Sequence, residues 1–122
     1  MKGAPLILAV DRNRRNLELL CQFLGKEGYQ LLTATTLDDF DRALADSDDI
    51  RLALVDISGF DRSVWERCEG LRDRKVPFLV LSLKQSTALQ QASLTHGARG
   101  VLVKPLVVKE LLGIIRSLME EE

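Results

Sequence analysis

Three residues in this chain carry charge at places where charge has work to do. Asp11 closes the apolar run Leu6-Ile7-Leu8-Ala9-Val10, Asp56 closes Leu52-Ala53-Leu54-Val55, and Lys104 follows Val101-Leu102-Val103. Runs this short and this apolar read as parallel strands buried on both faces. A charge at the end of such a strand lies on the carboxyl edge of the sheet, where open α/β folds keep their sites. The sequence therefore gathers two carboxylates and an ammonium over one edge. A carboxylate held there can serve as a nucleophile. The bland alternatives are that Asp11 and Asp56 cap the segments beyond their strands, or that an Asp–Lys pair is kept for stability alone.

Five strands must place these residues. They are expected at Leu6–Val10, Tyr29–Ala34, Leu52–Val55, Phe78–Leu81 and Val101–Val103. Helices are expected between and after them, at about Asn13–Glu27, Thr36–Ala45, Arg62–Arg74, Ser86–Thr95 and Val107–Met119. Gly28 and Gly97 act as stops, and Thr36 as a cap with Asp38 and Asp39 in the favourable first turn. Strict alternation of strand and helix calls for a parallel sheet with helices on both faces, an α/β fold. In the last helix, Val107, Val108, Leu111, Leu112, Ile114, Ile115, Leu118 and Met119 spread over an arc of roughly 160°, wider than the roughly 100° that covers a sheet. That arc is either a well-buried last helix or one with an edge left for a partner.

Composition sets the outer limits. The 122 residues make one domain with room for a core, and 46% apolar content belongs to a folded globule. A net charge of −1 gives no reason to expect nucleic acid or an anionic membrane surface as partner. No apolar run approaches the roughly 18 residues of a membrane span, and the start is too short for a signal peptide. Cys21 and Cys68 lack CxxC spacing and read as reduced thiols of a cytoplasmic protein. His96, just before Gly97, reads as a helix-end contact. The aspartates from Asp38 to Asp49 read as a solvated acidic face.

Four segments in register resemble one family. Val10-Asp11-Arg12-Asn13-Arg14-Arg15-Asn16-Leu17, Leu54-Val55-Asp56, Leu81-Ser82 and Val103-Lys104-Pro105-Leu106 look like a response-regulator receiver domain of the chemotaxis-regulator type. The resemblance covers residues 1–122 as one receiver domain. It implies a flavodoxin-like (βα)5 fold, a doubly wound five-stranded sheet in the order 2-1-3-4-5. It implies that Asp56 accepts a phosphoryl group from a histidine kinase, a phosphotransfer protein or a small acyl phosphate. Lys104 then matches the lysine that pairs with the phosphoryl oxygens, and Ser82 the hydroxyl that hydrogen-bonds them. Asp11, Asp56 and the Ser58 backbone match the holders of Mg²⁺. Pro105 matches a proline often preceded by a cis bond. Beyond self-catalysed phosphoryl transfer and hydrolysis, no enzyme activity is implied. Family receivers often dock partners or a second copy through helix 4, strand 5 and helix 5.

The departures from the family pattern are specific. Arg12 stands where the second acid, normally the direct metal ligand, is usual; weak or absent Mg²⁺ binding is therefore expected. Arg12 is expected in the emptied metal position, its fork on Asp11 or Asp56. Ser58-Gly59-Phe60 replaces a usual Met-Pro pair, Leu83 follows Ser82 where a small residue is common, and Val101 replaces an aromatic switch residue. The function expected is a two-component receiver phosphorylated at Asp56, or an atypical variant of one. The alternative is a phosphorylation-independent pseudo-receiver working through protein contacts. A dinucleotide- or flavin-binding enzyme is poorly supported, because no GxGxxG follows the first strand.

Overall fold

A computed structural model describes residues 4–120. The strands are β1 (Leu6–Val10), β2 (Gln30–Ala34), β3 (Ile50–Asp56), β4 (Phe78–Ser82) and β5 (Gly100–Val103). The helices are α1 (Arg14–Lys26), α2 (Leu37–Asp46), α3 (Val64–Asp73), α4 (Thr87–Thr95) and α5 (Val108–Glu120). The strands form one parallel sheet in the order β2-β1-β3-β4-β5. This is the doubly wound arrangement expected from the alternating pattern.

The period of two along each strand divides the core into two layers. Leu8, Val10, Ala53, Val55, Phe78 and Val80 face one way and pack with Phe40 and Leu44 of α2 and Cys68 and Leu71 of α3. Ile7, Leu52, Leu54, Leu79 and Leu81 face the other way and pack with Leu24 of α1 and Leu111, Ile115 and Leu118 of α5. The wide arc of α5 is accordingly spent mostly on the core. Leu112, Ile114 and Met119 pack partly buried against that second layer, while Val107 and Val108 at its start remain exposed.

Element ends follow local chemistry. Asn13 caps α1 by accepting from the Asn16 amide at 3.2 Å, and Thr36 caps α2 by accepting from the Asp39 amide at 3.0 Å. Helix α3 begins later than its pattern predicts, at Val64, because the Asp61 carboxylate takes the Ser63 amide at 2.9 Å and holds that stretch as a turn. Strand β3 is longer than predicted at both ends and includes Asp56. Both cysteines are free, and burial pushes the Cys68 thiol up to about 12, with the nearby Glu69 charge adding to it. Asp41 on the acidic α2 is not merely solvated: it takes the guanidinium of Arg67 in α3 through two bonds of 3.0 Å. His96 ends α4, as expected, and also ties it to α3. Its Nδ1 lies 2.6 Å from Glu69, and its ring stacks on Trp65 at a centroid distance of 4.8 Å. Among the described residues, no helix is long and apolar enough to cross a membrane.

Candidate functional site

Strand register brings the charged residues together. Val10 of β1 pairs with Val55 of β3, so the residues that follow, Asp11 and Asp56, end neighbouring strands side by side. Asp56 pairs with Leu81, and Ser82 with Val103, which sets Lys104 one step past the end of β5. The Lys104–Pro105 peptide is cis. Backbone hydrogen bonding fixes the turn, with the Lys104 amide donating to the Ser82 carbonyl at 2.8 Å.

The side chains converge as that register requires. Asp11 and Asp56 are buried, at 5% and 2% exposure, and so are stable as charges only with partners. Lys104 supplies one to both. Its ammonium lies 3.2 Å from Asp11 Oδ2 and in direct contact with Asp56 Oδ2. The remaining oxygens are also occupied. Asp11 Oδ1 accepts from the Asn13 amide at 2.8 Å, Asp11 Oδ2 from the Asn16 side chain at 3.2 Å, and Asp56 Oδ1 from the Ser58 amide at 2.8 Å. Burial pushes Lys104 down, but its hydrogen bonds and charge contacts with Asp56, and then Asp11, outweigh that and hold the ammonium above its ordinary value.

Arg12 does something the sequence does not reveal. Its guanidinium pairs with neither carboxylate and donates to the Gly59 carbonyl at 2.6 Å. Gly59 has a φ of +84°, and a Cβ there would lie 3.0 Å from Arg12 Cδ. A side chain at position 59 would thus be strained and would crowd the arginine. The expectation of a fork directed at Asp11 or Asp56 is corrected: the arginine bridges the loop after β1 to the loop after β3.

Ser82 stands apart from the other candidates. It is buried, and its hydroxyl is committed to its own loop, accepting from the Lys84 amide at 3.1 Å and donating to the Lys84 carbonyl at 3.0 Å. The neighbouring Leu83 is 65% exposed. Asp11, Arg12, Asp56, Ser58 and Lys104 line one cavity of about 620 Å³, which continues as an apolar groove past Leu20, Phe23 and Leu111. Sequence reasoning missed Asn16, Gly59 and this groove. Asn13 and Asn16, five residues apart from Asp11 at most, were the available signal for the hydrogen bonds around that aspartate.

The donor set does not suit a divalent cation. Two carboxylates are at hand, but they already share Lys104, and Arg12 adds a second positive charge at the cavity. The formal charges of these four side chains cancel, which removes the attraction a dication needs.

A five-stranded parallel sheet in the order β2-β1-β3-β4-β5, with two acids and a lysine gathered at its carboxyl edge, defines the class of receiver-type signalling domains. The family model described as response regulator receiver domain matches residues 7–116, and the chain belongs to that family. It is similar to the transcriptional regulatory protein GltR of Pseudomonas aeruginosa, 29% identical over 117 residues that cover 93% of this chain and 48% of that protein. It is also similar to the response regulator MprA of Mycobacterium leprae, 33% identical over 116 residues covering 93% and 50%. The chain thus spans about half the length of the curated relatives it matches. Among solved structures, a CheY-like receiver domain protein from Methanospirillum hungatei JF-1 superposes with a TM-score of 0.87 at 26% identity, covering 98% of this chain and 96% of that one. The family resemblance and the fold expected from sequence are both borne out.

Proposed function

We propose that residues 1–122 form one receiver domain of a two-component pathway that takes a phosphoryl group on Asp56. The observation that carries this reading is the Lys104 ammonium seated on Asp56 Oδ2 and Asp11 Oδ2 at the mouth of an open cavity. A carboxylate oxygen of Asp56 attacks phosphorus. The bond from phosphorus to the donor's histidine nitrogen, or to the oxygen of an acyl phosphate, breaks, and its electron pair leaves with the donor. Lys104 needs only a small shift to follow the new phosphoryl oxygens. Asn16 and the Asn13 amide hold Asp11 in place, so Lys104 stays positioned while Asp56 reacts.

In this reading Mg²⁺ binding is weak, because Arg12 cancels the charge that would draw the ion. The partner upstream is a histidine kinase or a phosphotransfer protein. The partner downstream, or a second copy, meets the surface of α4, β5 and α5, where Leu94, Val103, Val107 and Val108 are exposed. One observation favours the alternative of a phosphorylation-independent interaction module: the Ser82 hydroxyl is fully engaged with Lys84. Intact mass after incubation with acetyl phosphate separates the two. A receiver gains the mass of one phosphoryl group, and Asp56→Asn gains none. An interaction module gains none in either form.

A further inference from the structure

We infer that Arg12 is a substrate-touching residue of this site, which releases Gly59 and grips the phosphoryl group on Asp56, so that phosphoryl transfer here does not depend on a divalent cation. The inference rests on the reading of Asp56 as the acceptor.

Three observations support it. First, Arg12 lines the same cavity as Asp56, Ser58 and Lys104. Second, its one polar contact among the described residues is with a neutral backbone carbonyl, that of Gly59, although its geometry suits an anion. A guanidinium prefers a charged acceptor that meets its fork with two oxygens, and a phosphoryl group is such an acceptor. Third, the arginine lies against bare backbone: Gly59 carries no side chain, and a Cβ there would come within 3.0 Å of Arg12 Cδ. The move asked of Arg12 is a change of rotamer in an exposed side chain.

The charge balance points the same way. Before transfer, the formal charges of Asp11, Asp56, Lys104 and Arg12 sum to zero, with both acids paired to Lys104 alone. An incoming phosphoryl group brings further negative charge on its equatorial oxygens, and something must neutralise it in the transition state. Lys104 is already shared between Asp11 and Asp56. Arg12 is the second cation at the cavity and is not engaged with either acid. Arginine supplied to a phosphoryl transfer site stabilises charge that develops in the transition state. In the step itself, the Asp56 carboxylate forms a new P–O bond, the P–O bond to acetate breaks, and acetate leaves with the electron pair. No proton or co-reactant is required.

The test reverses a metal requirement. The wild type, Arg12→Ala, Arg12→Lys and Arg12→Asp are incubated with acetyl phosphate in EDTA and in millimolar Mg²⁺, and phosphoryl uptake is followed by intact mass over time. The inference expects the wild type to be labelled at rates within about threefold of each other in the two buffers. It expects Arg12→Ala to lose at least tenfold in EDTA and Arg12→Lys to retain part of the rate. Arg12→Asp should be inert in EDTA and labelled in Mg²⁺. Wild type labelled only in Mg²⁺, or Arg12→Ala as fast as wild type in EDTA, overturns this inference while leaving Asp56 as acceptor. A wild type unlabelled in both buffers overturns the inference and the proposed function together. Circular dichroism and thermal melting establish that the variants are folded, as expected for an exposed side chain.

Discussion

Lys104 Nζ and Asp11 Oδ2 stand 3.2 Å apart although 93 positions separate them in the chain. They meet because the four parallel strands β1, β3, β4 and β5 end nearly level with one another, and the meeting joins β1 to β5 across the carboxyl edge of the sheet. Lys104 also contacts Asp56, so one ammonium serves two buried acids. Removing it in Lys104→Met leaves both without a cation. We expect a loss of about 3 kcal/mol in urea unfolding at neutral pH, the range seen when one partner of a buried pair is deleted. Asp56→Asn should lower stability less, because Asp11 retains the lysine.

The pH dependence of that stability follows from the direction of the lysine shift. The folded state holds Lys104 above its ordinary value. Its contribution is therefore complete below the unfolded lysine value near ~10.4 and is lost as pH rises through the higher folded value. Wild-type stability should fall on the alkaline side between those points, and Lys104→Met should show a shallower fall. Equal alkaline slopes in the two proteins would contradict the pairing.

The thiols give an independent check on the core. Cys68 is fully buried in the layer formed with α2 and α3, and its thiol is pushed up to about 12. Cys21 in α1 is half-buried and also raised, by burial first and then by Glu18. At pH 8 a thiol reagent should modify Cys21 slowly and leave Cys68 untouched until the protein unfolds, since only the thiolate reacts. Rapid modification of both in the native protein would contradict the packing.

The exposed apolar residues lead to a sharper surface experiment than the arc of α5 alone. Leu112 and Ile114 pack against the second core layer, so arginine at either should damage the fold. Leu94 and Val103, at 51% and 39% exposure, are the better probes. We expect Leu94→Arg and Val103→Arg to melt within about 0.5 kcal/mol of wild type while lowering any self-association seen by sedimentation. A loss of folding in these two, with Leu112→Arg unaffected, would reverse the assignment of faces.

His96, at the end of α4, ties that helix to α3 through an aromatic stack and a polar contact. His96→Ala removes both its contact with Trp65 and the bond to Glu69. The stack and one partly exposed polar contact together suggest a loss of about 1–2 kcal/mol, with a change in Trp65 fluorescence. A variant equal to wild type in both respects would show that the stack contributes nothing.

The fold was legible because its signals are periodic and redundant. Apolar runs of strand length, each followed by a helix with a cap or a glycine stop, leave little choice but a parallel sheet, and Asp11, Asp56 and Lys104 mark its carboxyl edge. What was not legible depends on side-chain direction. Arg12 follows Asp11 directly, yet it bonds Gly59, whose positive φ and missing side chain leave a backbone carbonyl within reach of the guanidinium. Nothing in the type of residue 12 or its spacing fixes that direction. The Ser82 hydroxyl was equally ambiguous: the same serine can face a cavity or close a turn, and here it binds Lys84. The start of α3 was misplaced for a local reason, the competition of Asp61 for the Ser63 amide.

In the proposed function, Asp56 and no other carboxylate takes the phosphoryl group. Borohydride reduces an aspartyl phosphate to homoserine and leaves free carboxylates unchanged, so the position of attack can be read by peptide mass. After incubation with acetyl phosphate and reduction, we expect homoserine at position 56 and aspartate retained at position 11. Homoserine at position 11, or none at either position in a folded protein, would contradict it.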